Sequence, residues 1–254
     1  MHIESVGRGA DLVLVHGWGM HGGIFAPLSD ILRDTFTLHV VDLPGHGFSR
    51  DDMHVLDPHA VASALIDRVP RALWVGWSLG GLVTLDAALS FPDRIRGIVE
   101  IAASPRFLAA PDWPHGVPLA TFEQFESGLL DDYRQVVERF LALEVLGSQN
   151  AQAELRELRK HVFERGEPDL DALKQGMRVL ENADFRARLS QLAIANLWIA
   201  GRRDRLVPSA AMAWASQQNP LGSFVEFSSG HAPFISHAAQ VAQAISEFAG
   251  GLAP

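Results

Sequence analysis

The chain has 254 residues, of which 48% are hydrophobic and 20% charged, as is typical of a soluble globular protein with one large core. Its formal net charge of −9 argues against a general nucleic-acid or anionic-membrane binder, because the field of the protein would repel polyanions. It contains no cysteine, which excludes disulfides, thiolate metal sites and cysteine nucleophiles.

Apolar runs of strand length recur along the chain, and most are separated by helix-length amphipathic stretches. The runs cover residues 12–15, 37–41, 72–76, 97–101, 195–200 and 223–227. This alternation predicts an α/β fold with βαβ units and a mostly parallel central sheet that has helices on both faces.

The alternation breaks between Pro105 and Asp184, where strand-length runs stop and four helical segments follow one another. The second covers roughly residues 131–146 and the third roughly 151–164, each with one apolar face. An all-helical insertion in a βα series favours a cap over the carboxyl edge of the sheet, where open α/β folds bind ligands. We therefore predict a core of residues 1–104 and 185–254 and a helical cap of residues 105–184.

The sequence Gly76-Trp77-Ser78-Leu79-Gly80 lies between a predicted strand and a predicted helix. A serine exposed on so tight a strand-to-helix turn needs close neighbours without a β-carbon, and the two glycines meet that need. This pattern predicts a nucleophile elbow with Ser78 as the nucleophile. The alternative is a chance occurrence in a glycine-rich and serine-rich chain.

A serine nucleophile needs a general base and a carboxylate that orients the base. His231 follows the last predicted strand, and Asp204 follows the strand before it, so both are expected at the same sheet edge as Ser78. The alternative for His231 is an ordinary surface or core histidine. The alternative for Asp204 is a helix N-terminal acid or an ion-pair partner of the adjacent arginines.

Two backbone N–H groups are needed to stabilise the oxyanion of the reaction. The amide of Leu79 opens the helix after the nucleophile, and the amide of Trp18 lies in the glycine-rich turn after the first predicted strand. We predict that these two amides form the oxyanion hole, although such a turn is often only a turn. The glycine-rich stretch 42–49 lacks the order of a phosphate-binding loop and is interpreted as a loop that supports the site.

Five stretches together resemble the pimeloyl-[acyl-carrier protein] methyl ester carboxylesterase (BioH-type) family of biotin synthesis, a branch of the α/β-hydrolase superfamily. They are His-Gly-Trp-Gly at 16–19, Asp-Leu-Pro-Gly-His-Gly-Phe-Ser at 42–49, Gly-Trp-Ser-Leu-Gly-Gly-Leu at 76–82, Val-Glu-Arg-Phe-Leu-Ala-Leu at 137–143 and Gly-His-Ala-Pro-Phe-Ile-Ser-His at 230–237. The resemblance covers nearly the whole chain. The chain order Ser, Asp, His is also the order expected of α/β-hydrolases.

The resemblance implies an α/β-hydrolase fold and a serine esterase that removes a methyl group from the far end of a carrier-bound seven-carbon acyl chain. The acyl-carrier protein is the implied partner, with small esters as substrates in vitro. The implied substrate contacts are Trp18, Ser78, Leu79, Phe140, Leu141, Ala142, Leu143, Glu144 and His231.

Two features of the predicted cap bear on the substrate. Phe140, Leu141 and Leu143 are suited to line an apolar slot for methylene groups, but they also fit the cap's own packing face. Arg139, Arg156 and Arg159, with Lys160, offer a docking patch for an acidic carrier. The alternative for these cations is a solvated helix face with local ion pairs.

No histidine spacing in the chain is typical of a metal site, so we predict no metal and no cofactor. The N-terminus lacks a signal-peptide pattern and no apolar run reaches bilayer length, so we expect a cytoplasmic monomer that binds neither membranes nor nucleic acid. Two alternatives to the esterase stay open. One is a broad small-ester carboxylesterase or a carbon–carbon bond hydrolase, and the other is a ligand-binding member of the fold without turnover.

Overall fold

The computed structural model describes residues 1–146 and 151–252, and within them seven strands form one sheet in the order β1-β3-β2-β4-β5-β6-β7. Strand β1 pairs antiparallel with β3, and every other neighbouring pair is parallel. The strands are β1 (His2–Gly7), β2 (Ala10–Val15), β3 (Phe36–Asp42), β4 (Ala72–Trp77), β5 (Ile95–Ile101), β6 (Asn196–Gly201) and β7 (Gly222–Phe227).

The six predicted strands correspond to β2 through β7, and β1 was missed. Parallel strands inside the sheet are covered on both faces, so β4 and β6 are buried at every residue. Their sequences are therefore almost continuously apolar. Strand β1 lies at the edge, and four of its six residues are exposed. It therefore carries no apolar run that a hydrophobicity pattern would detect.

Helices connect the strands and pack against them. Within the described chain they are α1 (Ala26–Leu32), α2 (Pro58–Ile66), α3 (Leu79–Ser90), α4 (Leu119–Glu144), α5 (Ala151–Val162), α6 (Leu170–Asn182), α7 (Ser209–Gln217), α8 (Pro233–Ser236) and α9 (Ala238–Gly250). Helix α1 packs against α9, and α2 packs against α3. Helix α3 packs on β4 and β5 and is buried from Leu79 to Ala88, so it is the central helix of the fold.

Helices α4, α5 and α6 stand between β5 and β6, in the stretch where strands were predicted to stop. Four helical segments were expected there, and the described residues form three helices because the first two predicted segments are joined as α4. The joint is a kink at Asp132, whose backbone has φ −154° and ψ 88°. The carboxylate of Asp132 accepts the N–H of Gln135 at 3.1 Å, as an N-cap does at the start of a helix.

Four loops lie at the carboxyl edge of the parallel strands. They follow β2, β4, β6 and β7 and carry, in that order, Trp18, Ser78, Asp204 and His231. Since these strands run parallel in one sheet, with only β5 between β4 and β6, their carboxyl ends meet at one edge. The topology alone thus collects the predicted site residues.

Candidate active site

Ser78 lies in the turn between β4 and α3, with φ 55° and ψ −119°. Such a left-handed backbone is costly for a residue with a side chain, by about 1–3 kcal/mol. The N–H of Ser78 donates to the carbonyl of Ile101 on β5 at 3.0 Å, and the carbonyl of Ser78 accepts the N–H of Gly81 at 2.9 Å, so both peptide groups of Ser78 are held. A β-carbon at Gly80 would lie 2.2 Å from the carbonyl oxygen of Val15, and one at Gly76 would lie 2.5 Å from that of Gly80, so both glycines are sterically required.

Asp204 and His231 form a buried pair. The Nδ1 of His231 lies 2.7 Å from Oδ2 of Asp204, and both side chains are fully buried. The other carboxylate oxygen, Oδ1, accepts the N–H groups of Leu206 at 2.8 Å and Val207 at 2.9 Å. An ionised carboxylate can only accept, so Nδ1 carries the proton and Nε2 presents a lone pair.

Burial alone would lower the pKa of His231, but the charge and hydrogen bond of Asp204, with a smaller contribution from Glu144, raise it above its ordinary value. The Nε2 of His231 is buried and has no hydrogen-bond partner among the described residues. Ser78 and His231 line the same cavity. The arrangement therefore places a free basic nitrogen and a strained serine at one cavity wall. The hydrogen bond between a serine nucleophile and its base commonly forms or tightens only when substrate binds.

The turn after β2 touches the elbow directly. A β-carbon at Gly17 would lie 3.1 Å from the Cβ of Ser78, so Gly17 permits the close approach. Trp18 is buried and its indole N–H donates to the carbonyl of Leu173 on α6 at 2.9 Å. The amide of Leu79 begins α3 next to Ser78. Both predicted oxyanion donors thus belong to segments that border the nucleophile.

His16 fixes this turn, a role that the sequence reasoning did not assign. Its Nδ1–H donates to the carbonyl of Gly17 at 2.8 Å, and its Nε2 accepts the N–H of Leu43 at 2.9 Å. Burial, chiefly, lowers the pKa of His16 to about 3, so the ring is neutral and can accept at Nε2. The signal in the sequence is the histidine directly before Gly17, in the turn that was predicted to supply the Trp18 amide.

The cavity at Ser78 is narrow, with a volume of about 20 Å³, and lies between the sheet edge and helices α4 and α6. Its wall is mostly apolar and consists of Ser78, Phe107, Val117, Thr121, Phe122, Phe125, Phe140, Met177, Leu180, Leu206 and His231. Among these lining residues none is an arginine, lysine, aspartate or glutamate. The wall beside the serine is therefore suited to contact an uncharged apolar group and unsuited to a charged one.

A model of the alpha/beta hydrolase family matches residues 12–244. The chain belongs to the alpha/beta hydrolase family. The match, together with the mostly parallel seven-stranded sheet of the described residues, confirms the predicted fold class.

Two relatives of this hydrolase are similar over the full chain. A protein of Stenotrophomonas maltophilia (strain R551-3) is 52% identical over 255 residues, which cover 100% of this chain and 98% of the relative. A protein of Xanthomonas oryzae pv. oryzae (strain MAFF 311018) is 50% identical over 249 residues, which cover 98% of each. Both are named pimeloyl-[acyl-carrier protein] methyl ester esterase, which confirms the resemblance drawn from the sequence.

Solved structures resemble the hydrolase in fold. The bromoperoxidase from Bacillus anthracis superposes with a TM-score of 0.87 at 22% identity, covering 98% of this chain and 94% of the other. At this identity the likeness speaks for the fold alone.

The hydrolase brings only some of the expected substrate contacts to the cavity. Phe140 lines it and packs edge-on against Trp18, with ring centroids 4.9 Å apart, whereas the remaining residues of the segment 141–144 do not belong to its lining. Leu141 and Glu144 are buried, Leu143 is partly buried and Ala142 is exposed. Five consecutive helical residues span more than one turn, so they cannot all face one cavity.

The lining that the sequence reasoning missed comes from other parts of the insertion. Phe122 and Phe125 on α4, and Met177 and Leu180 on α6, occur as pairs three residues apart. This spacing places each pair on one helix face. The spacing is present in the sequence, but spacing alone does not show whether such a face lines a cavity or packs inside the insertion.

The three arginines expected to dock a carrier are exposed on α4 and α5. Arg139 donates to Oε1 of Gln135 at 2.8 Å, and Arg159 donates to the carboxylate of Glu138 at 2.7 Å. Residues 1–146 and 151–252 bring together no group of three His, Asp or Glu side chains that could hold a metal ion. No helix within these ranges is long and apolar enough to span a bilayer.

Proposed function

We propose that this hydrolase cleaves the methyl ester of pimeloyl-[acyl-carrier protein] and releases methanol and pimeloyl-[acyl-carrier protein] in biotin synthesis. The observation that carries the proposal is the full-length similarity, at 52% identity, to a relative with this name. The apolar cavity at Ser78 supports it, because a methyl ester at the end of a methylene chain is uncharged and apolar.

In the proposed reaction, Oγ of Ser78 attacks the ester carbonyl while Nε2 of His231 takes its proton. Asp204 stabilises the imidazolium through its 2.7 Å bond to Nδ1. The amides of Leu79 and Trp18 stabilise the oxyanion. His231 then gives the proton to the departing methanol, and a water activated by the same nitrogen hydrolyses the acyl-enzyme.

The charge of the product gives the cavity a second role. Hydrolysis converts a neutral ester into a carboxylate. The apolar lining of the cavity offers no lysine or arginine to pair with that carboxylate. An unpaired charge in an apolar site is costly, so the site favours the ester over the acid. This preference promotes product release and disfavours rebinding.

Residues 105–184 are proposed to act as a cap that encloses the acyl chain against the core of residues 1–104 and 185–254. Phe122, Phe125 and Phe140, all on α4, line the cavity and are proposed to contact the methylenes. Arg139, Arg156 and Arg159 on the outer surface are proposed to attract the acidic carrier, and the enzyme is proposed to work as a monomer in the cytoplasm.

A competition among methyl esters of diacids with five to nine carbons, each offered free and carrier-bound, tests this proposal. The carrier-bound seven-carbon ester is expected to have the highest kcat/KM, and S78A is the matched inactive control. Equal kcat/KM for carrier-bound and free esters of all lengths would instead indicate a general carboxylesterase.

A further inference from the structure

Glu144, the last residue of α4, is tied to the loop of the histidine. Its backbone carbonyl accepts the N–H of His231 at 2.9 Å. The carbonyl of His231 in turn accepts the indole N–H of Trp77, also at 2.9 Å. A β-carbon at Gly230 would lie 2.5 Å from the carbonyl oxygen of Glu144, so the glycine before the histidine makes this close approach possible. The main chain of His231 is thus held between the helical insertion and the elbow strand.

The side chain of Glu144 is buried, with an exposed fraction of 1%, and neither carboxylate oxygen has a hydrogen-bond partner among the described residues. A buried carboxyl group without partners costs stability, and a methionine or leucine would fill the space without this cost. The charged groups that act on it are His231, from the loop after β7, and Asp204, from the loop after β6. Its electrostatic interactions are therefore with the proposed catalytic pair.

We propose that Glu144 is a second acidic residue that positions His231. The main-chain carbonyl of Glu144 anchors His231, and the carboxylate of Glu144 stabilises the positive charge of the imidazole during turnover. The inference rests on the proposed roles of Ser78 and His231. The proton of Ser78 still moves to His231 and then to the leaving group. Glu144 loses its own proton to solvent before turnover and takes no part in that transfer.

The protonation of Glu144 decides when it contributes. Burial, chiefly, raises its pKa to about 8; the charge of His231 opposes the rise and that of Asp204 adds to it. Below that pH the group is neutral and does little. Above it the carboxylate favours the imidazolium that forms in the transition state, so kcat should rise through a second titration near pH 8.

The test compares kcat of the wild-type enzyme and E144Q from about pH 6 to about pH 10, with a small soluble ester so that carrier docking plays no part. The two are expected to agree within about twofold at pH 7 and to separate above pH 8, with the wild type at least about threefold faster at the alkaline end. E144M, which also cannot ionise, should follow E144Q and serves where the amide perturbs folding. E100Q, a change at another buried carboxyl group, is the matched control and should keep the wild-type shape.

A second readout is the titration of the His231 imidazole by NMR. Where Glu144 is ionised, its charge favours the protonated imidazole, so the alkaline end of the His231 titration should be reached at lower pH in E144Q than in the wild type. Identical pH profiles and identical imidazole titrations for the wild type, E144Q and E144M would overturn the proposal. Full activity of S78A would instead overturn the proposed catalytic roles themselves, so the two failures are distinguishable.

Discussion

Replacing Asp204 with asparagine should reverse the tautomer of His231. In the wild type, Oδ1 of Asp204 accepts two backbone N–H groups, from Leu206 and Val207, while Oδ2 accepts from Nδ1 of His231. The asparagine oxygen of D204N can keep both backbone bonds only by turning its NH₂ group toward Nδ1. That nitrogen must then accept, which places the ring proton on Nε2, where the proton of Ser78 has to arrive.

The expected loss in kcat is roughly 10⁴-fold, the size seen for the same change in serine proteases, or about 5 kcal/mol of transition-state stabilisation. The melting temperature should change little, because the two backbone bonds and the packing are kept. The test measures steady-state kcat at pH 7 with a small ester, and the melting temperature, for the wild type and D204N. A folded D204N within about tenfold of wild-type kcat would refute the assignment of Asp204 as the orienting acid.

Three further changes address the nucleophile, a buried acid and the proposed docking surface. S78A should abolish ester hydrolysis with thermal stability nearly unchanged, since alanine occupies the same strained backbone; retention of more than about a tenth of the activity would contradict this. E100Q should unfold at a higher urea concentration than the wild type at pH 9 and at nearly the same concentration at pH 4, because burial raises the pKa of Glu100 well above its ordinary value. Reversing Arg139 and Arg156 to glutamate should raise KM for the carrier-bound ester but not for a small ester, and an equal change for both substrates would argue against docking.

The sign of the Glu100 effect follows from linkage. The folded protein keeps this carboxyl group neutral, whereas the unfolded chain ionises it above its ordinary pKa. Wild-type stability therefore falls as pH rises above that value, and E100Q lacks this loss. A difference of about 1.4 kcal/mol or more in the free energy of unfolding at pH 9 corresponds to a pKa raised by one unit or more. Equal unfolding midpoints at both pH values would show that Glu100 is not held neutral.

The three residues proposed as the catalytic triad share one property in the sequence. Ser78, Asp204 and His231 each follow a strand-length apolar run, so strand pattern and local motif agree on the edge where they lie. The sequence pattern did not predict edge strand β1, because most of its residues are exposed and it has no apolar run. Local patterns suffice where a residue's position follows from the strand before it.

Other features depend on contacts between distant segments. Glu144 meets His231 across 87 positions of chain through a single backbone bond, and no local pattern marks such a contact. The sequence around Asp132 predicts the start of a new helix, because an aspartate that caps a helix is typical of such a start. In the structure the same residue forms a kink within α4. Which residues of 140–144 face the cavity also depends on how α4 lies on the sheet, and periodicity does not fix that.

Covalent labelling with an organophosphonate tests the central claim most directly, because the reagent bonds to a serine only where a base has activated it. The account predicts one phosphonate per chain, located by peptide mass spectrometry on Ser78, with ester hydrolysis lost in proportion to labelling and no incorporation in S78A. Labelling of another residue, or activity that persists after Ser78 is fully modified, would contradict it.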